Sequence, residues 1–198
     1  MMSIRISAIL SVAILSLVLV ANAHGQRGYV EGFGGVLIVD DGKLADATID
    51  PSGLFGVVLG LAVAPAWEVA AAYGYSPVTA TEDVTNTDID ANVHVYFGAV
   101  NYVFPSERMM HFLLTGGLGG ITIDPDLEGA KSSNDFLVNF GGGLRYTASS
   151  RIAIQGTVRD HVQFCKAAEV DSDKISICPD DDAALNHIEV SGGVLVLF

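Results

Sequence analysis

Near the end of the chain, between residues 185 and 198, polar and apolar side chains alternate. Ile188, Val190, Val194, Val196 and Phe198 share one parity, and His187, Glu189 and Ser191 share the other. A period of two places these sets on opposite faces of a strand, one apolar and one polar. Apolar or alternating runs bounded by turn residues recur upstream, so eight strands are predicted, at about 28–39, 53–64, 67–78, 89–103, 110–122, 134–147, 151–164 and 185–198. An even number of such runs is what a closed antiparallel transmembrane barrel with both ends on one side requires. The expected fold class is therefore all-β, an eight-stranded antiparallel up-and-down barrel.

The connections carry independent information. Those after the second, fourth and sixth runs are short and rich in turn residues (Ala64-Pro65-Ala66, Pro105-Ser106-Glu107-Arg108, Ala148-Ser149-Ser150). Those after the first, third, fifth and seventh are longer and acidic, with Asp40, Asp41, Asp46 and Asp50 in the first and Asp180, Asp181 and Asp182 in the last. In an outer-membrane barrel, short turns face the periplasm and long loops face outward.

Parity assigns faces, with the apolar set directed to lipid. The seventh run sends Ile152, Ile154, Gly156 and Val158 out and Gln155, Thr157, Arg159 and His161 in. The third sends Trp67, Val69, Ala71, Tyr73 and Tyr75 out and Glu68 in, which puts aromatic rings at the two membrane interfaces. For the fourth, the same rule sends Val93, Val95, Phe97 and Ala99 out and Asn92, His94 and Tyr96 in. Hairpin geometry adds an expected lumen charge cluster. If Phe164 opposes Ala184, Arg159 lies across from Glu189, and if Tyr146 opposes Ile152, Asn139 flanks Arg159 on its other side.

Composition sharpens the picture. A mean hydropathy of +0.44 together with a net charge of −13 means that acid and apolar residues are segregated along the chain. So acidic a surface repels nucleic acid, and that class of partner is excluded. Met1 to Ala23 carries Arg5, an apolar core from Ala8 to Ala21 interrupted by Ser11 and Ser16, and the small-x-small triplet Ala21-Asn22-Ala23. This reads as a signal peptide with mature chain from His24, a barrel domain spanning 24–198; an uncleaved anchor is the alternative. Cys165 and Cys178 share one acidic loop, and export to an oxidising compartment favours a disulfide, with two free thiols as the alternative. A bridge of this span stabilises by about 3 kcal/mol in the chain-entropy picture.

The glycine pairs and triplet inside the runs (Gly34-Gly35, Gly116-Gly117, Gly119-Gly120, Gly141-Gly142-Gly143, Gly192-Gly193) suit the bends of a small barrel and leave room for bulky neighbours. No helix signal or Lys-Ser/Thr pair follows them, so a phosphate-binding loop is set aside.

At Gly141-Gly142-Gly143-Leu144-Arg145-Tyr146, at Val158-Arg159-Asp160, and from Ile188 to Phe198, the chain resembles the eight-stranded outer-membrane barrel superfamily: the OmpA-like transmembrane domain and its OmpX-, OmpW- and opacity-type, porin-like relatives. The resemblance covers about 28–198. It implies location in the outer membrane of a Gram-negative bacterium, contact with outer-membrane lipids and lipopolysaccharide, and a monomer. It also implies that Phe198, Val196, Val194 and Val190 form the signal read by the barrel-assembly machinery.

Candidate chemistry changes little. His94, His111, His161 and His187 match no compact ligand spacing and read as hydrogen-bonded side chains; Asp180-Asp181-Asp182 lacks the spaced ligands of a Ca²⁺ loop. A lipid-modifying enzyme of this size needs a Ser or His with an acid partner on the lipid-facing wall, and among the clearly assigned outward positions only Asp160 is ionisable. No catalytic, cofactor or metal residue is assigned. An eight-stranded barrel is just wide enough to be filled by side chains, so the expected role is structural or surface-interacting, with a narrow channel for small solutes, OmpW-like, as the alternative.

Overall fold

The computed structural model describes residues 27–39, 47–49, 51–82, 87–126, 132–164 and 184–198. The signal-peptide reading, Cys165, Cys178 and Asp180 to Asp182 fall outside the described residues. The described strands are β1 Gly28–Ile38, β2 Ala47–Ile49, β3 Ser52–Ala64, β4 Trp67–Glu82, β5 Thr87–Val103, β6 Met110–Pro125, β7 Ser133–Thr147, β8 Ile152–Phe164 and β9 Ala184–Leu197. Every pairing is antiparallel. β1 and β3 to β9 form a closed ring of eight, and the three-residue β2 adds to the loop end of β4. The chain is thus an eight-stranded up-and-down β-barrel.

Closure is made by β1 and β9, paired from Tyr29 opposite Leu197 to Ile38 opposite Ile188. At its end Gly28 and Phe198 exchange two backbone hydrogen bonds, each 2.9 Å. One rim carries the tight turns. Pro65, which lacks a backbone donor, leads out of β3 where the ladder stops. In the turn from β7 to β8, Ser149 Oγ accepts from the backbone N–H of Arg151 and Ile152 at 3.2 and 3.1 Å. The opposite rim is the loop end, where β4, β5 and β6 run further than their apolar runs suggested.

The outward faces of β4, β8 and β9 match the parity reading, with Trp67, Ile154 and Val194 all exposed. β5 is a correction. Val93, Val95, Phe97 and Ala99 are 3%, 3%, 8% and 8% exposed and line the lumen, whereas Tyr96 is 43% exposed on the outer wall. The cause is the hairpin register. Directly opposed residues share a face, and β4 sets Trp67 opposite Tyr102, Val69 opposite Val100 and Tyr73 opposite Tyr96. With Trp67 and Tyr73 outward, Tyr96 has to follow them, and the Val93 set turns inward. His94 and Asn92 turn outward, where each meets a phenol of β4: Tyr73 with His94 Nδ1 at 2.8 Å and Tyr75 donating to Asn92 Oδ1 at 2.6 Å.

Inward glycines make this small ring possible. A Cβ on Gly60 would collide with the Tyr29 ring, one on Gly56 with the Phe33 ring, and one on Gly193 with the Glu31 carboxylate. Bulky inward side chains therefore lie flat over the bare backbone of the neighbouring strand. Gly98, on the outer wall, has nothing closer than a carbonyl oxygen at 4.0 Å. Gly193→Leu is expected to cost about 1–3 kcal/mol by overpacking, while Gly98→Leu stays within about 0.5 kcal/mol of the parent. Urea unfolding in lipid vesicles, followed by the fluorescence of Trp67, measures both, and equal losses would contradict the space argument.

Candidate functional site in the barrel lumen

Two walls of different chemistry face each other across the lumen. β3 to β6 contribute mainly apolar side chains and glycine, including Leu54, Val58, Val95, Phe97 and Ile121. β7 to β9 and β1 contribute Asn139, Arg145, Gln155, Thr157, Arg159, His161, Gln163, His187, Glu189, Ser191 and Glu31, all buried. Parity places them: residues of odd number in β8 and β9 point inward, and they are polar at all but Ala153 in β8 and at the consecutive inward positions His187, Glu189 and Ser191 in β9.

The polar groups form three clusters along the axis. At the turn end, Arg145 of β7 reaches across the lumen to β4. Its Nη1 donates to Glu68 Oε1 at 2.6 Å and its Nη2 to Oε2 at 2.9 Å, a two-pronged ion pair. Arg145 Nε donates to Gln155 Oε1 at 2.8 Å, and the guanidinium lies 5.1 Å from the centre of the Tyr29 ring. Asn101 of β5 donates to the Tyr29 hydroxyl at 3.3 Å, a second contact between opposite walls. Gln155 Nε2 also approaches Glu31 Oε2, at 3.4 Å.

In the middle, Arg159 Nη1 donates to Glu189 Oε1 at 2.6 Å. Ser191 donates to the same oxygen at 2.5 Å, His161 Nε2 meets Glu189 Oε2 at 2.9 Å, and Thr157 bonds Ser191 at 2.8 Å. Phe97 crosses from the apolar wall, its ring centre 5.6 Å from that of His161 and 5.6 Å from the Arg159 guanidinium carbon. At the loop end, His187 Nε2 meets Gln163 Oε1 at 2.7 Å, and Gln163 Nε2 donates to Asp135 Oδ2 at 2.8 Å.

The structure brings Arg159 and Glu189 together in the register anticipated from the β8–β9 hairpin, with Phe164 opposite Ala184. Asn139 is a correction. Tyr146 opposes Ile154, not Ile152, so Gly141 lies beside Arg159 and Asn139 beside His161. The reason is the turn, which closes through Ala148 N to Ile152 O and so sits one residue later than assumed. His161 and His187 do face each other, but their Nε2 atoms go to different partners. Among the described residues no group of three His, Cys, Asp or Glu is placed to hold a metal.

Sequence reasoning missed the Glu68–Arg145 bridge and the Phe97 crossing. Parity sends Glu68 inward, but its partner lies on a strand that is not its neighbour, so hairpin arithmetic does not reach it. On the outer wall, Phe198, Val196, Val194 and Val190 are all exposed, and Asp160 is half-buried between Phe140 and Ile188. Two grooves open there, of about 550 and 690 Å³; the first is lined by Trp67, Tyr102, Phe104 and Leu114 and the second by Val69, Leu118 and Val138. Neither is lined by a Ser, His, Asp or Glu.

This geometry defines the class: a small transmembrane-type β-barrel with an ion-paired lumen. No protein-family model and no curated protein sequence matches the chain. Among solved structures it is similar to Neisserial surface protein A, with a TM-score of 0.60 at 13% identity over 85% of this chain and 96% of that one. It is also similar to the outer membrane protein OprG from Pseudomonas aeruginosa, at TM-score 0.55, 12% identity and 87% and 95% coverage. The N-terminal β-barrel domain of Pseudomonas aeruginosa OprF follows at TM-score 0.52, 16% identity and 87% and 97% coverage. At these identities the likeness is one of fold.

Removing one member of a buried ion pair strands the other, at about 3–5 kcal/mol. Arg159→Met and Glu189→Gln are each expected to lose stability in that range, and the double variant much less than their sum. A double-mutant cycle read from unfolding midpoints in lipid checks this; strict additivity would mean that the pair does not act as a unit.

Proposed function

We propose that the chain is an integral protein of the bacterial outer membrane whose plugged barrel serves a structural or surface-interaction role through its acidic outer connections. The observation that carries this reading is the set of contacts between opposite walls: Glu68 with Arg145, Asn101 with Tyr29, and Phe97 with Arg159 and His161. Side chains from facing strands meet inside the ring, which supports a lumen without a straight path for a solute. The apolar outer wall, with Phe112, Leu118, Phe140 and Val196 all more than half exposed, suits hydrocarbon and not water.

On this reading the partners are outer-membrane lipids and lipopolysaccharide around the wall, and the barrel-assembly machinery during insertion. The protein acts as a monomer, without cofactor and without catalysis. The acidic connections are its outward contact surface and select against nucleic acid.

Planar-bilayer conductance tests the plug. The refolded wild type is expected to be electrically silent, and a variant combining Phe97→Ala, Glu68→Ala and Arg145→Ala to show discrete steps. Stable steps from the wild type would overturn the plug and favour the narrow-channel reading.

Insertion is tested separately. Deleting Phe198 removes the two backbone bonds to Gly28 and the terminal aromatic. Export is expected to continue while the folded, heat-modifiable form in the outer membrane falls several-fold. Assembly at the wild-type level would remove Phe198 from that role.

A further inference from the structure

Midway along the polar wall, five atoms have no hydrogen-bond partner among the described residues: Thr115 Oγ1, Asn139 Nδ2 and Oδ1, Arg159 Nε and His161 Nδ1. Their residues are 7%, 1%, 6% and 1% exposed. Asp160 Oδ1 shares the lack of a partner but belongs to the outer face of β8 and to a different setting.

The four residues are neighbours on one surface. Thr115, Gly141 and Arg159 stand side by side across β6, β7 and β8, and Gly117, Asn139 and His161 form the next inward row. The glycines add no side chain between them. Opposed positions lie about 5 Å apart at Cβ and diagonal ones about 7–8 Å, a spacing that a small hydrogen-bonding molecule spans. Protein interiors satisfy such groups with a protein partner or an ordered small molecule, and unpartnered atoms on four adjacent residues form a built site and not a scatter of isolated defects.

The donor and acceptor pattern selects the occupant. Arg159 Nε and Asn139 Nδ2 carry hydrogens, Asn139 Oδ1 accepts, and the Thr115 hydroxyl does either. His161 Nε2 points at the Glu189 carboxylate, which accepts, so the ring hydrogen is assigned to Nε2 and Nδ1 is left as an acceptor. An anion would meet two lone pairs here with Glu189 close behind; a cation would meet Arg159. A neutral molecule that both donates and accepts fits the whole set.

We infer that Thr115, Asn139, Arg159 and His161 form an internal binding site for small neutral hydrogen-bonding molecules, occupied by water or by a small alcohol or amide of the same chemistry. The site lies beside the Arg159–Glu189 pair and keeps that half of the lumen wet, facing the apolar ring of Phe97. It rests on the wall itself and not on whether the barrel conducts, so the bilayer experiment and the following one fail independently.

The test uses the refolded mature chain, isotope-labelled in lipid nanodiscs. Magnetisation transfer from water to the Asn139 side-chain amide and the Arg159 Nε hydrogen is measured, in the wild type and in Asn139→Leu. Direct transfer to both groups is expected in the wild type, with at least a several-fold loss at Arg159 Nε in the variant. Absence of transfer to both in the wild type would overturn the site, whether or not the variant folds. Titration with glycerol and with acetamide separates the sources: saturable shifts at Asn139 and His161 assign a solute, and unmoved resonances assign water. The urea midpoint of Asn139→Leu adds a sign. A hydrated site loses bridging bonds and the midpoint drops, whereas a dry site loses only an unsatisfied amide and the midpoint rises, which would also overturn the inference.

Discussion

Hydrocarbon offers a backbone no hydrogen-bond partner. Every amide and carbonyl crossing it has to be paired by the chain itself, and a sheet can do this only by having no edge. The pairing of β1 with β9, finished by the reciprocal bonds of Gly28 and Phe198, is therefore the contact on which the other pairings depend. With that seam open, two strands would present unpaired groups to lipid. With it shut, each remaining strand has a neighbour on both sides, and side chains need only suit the medium that their face meets.

Closing a ring of eight makes it narrow, and narrowness dictates the interior. Several large inward groups find space over glycine, as Tyr29 does over Gly60 and Glu31 over Gly193. They also extend far enough to touch the opposite wall. Arg145 reaching Glu68 and Phe97 reaching Arg159 and His161 follow from the same dimension. In a wider ring these side chains would end in water; here they end on one another.

The two-sided lumen explains why the buried charges are tolerable. Arg145 and Arg159 each meet a carboxylate at 2.6 Å, and both guanidinium groups lie over an aromatic ring of another strand. Pairing and ring contact together offset the loss of hydration that burial imposes. The exception is the cluster around Asn139, whose polar atoms exceed the partners found among the described residues and whose donor and acceptor mix suits a neutral guest.

Eight strands, their order, the alternation of short and long connections, the outer faces of β4, β8 and β9, and the meeting of Arg159 with Glu189 were all legible in the order of residues. Each follows from local rules, a period of two and the pairing of a strand with its chain neighbour. The face of β5 was not legible, because Val93 to Ala99 suits an apolar lumen wall as well as it suits lipid; the register against Trp67 and Tyr73 decided between them. The partner of Glu68 was not legible either, since Arg145 lies 77 residues away on a strand that never pairs with β4. Hydropathy along a chain distinguishes wet from dry but not one dry place from another, and only closing the ring in three dimensions brings opposite walls within reach.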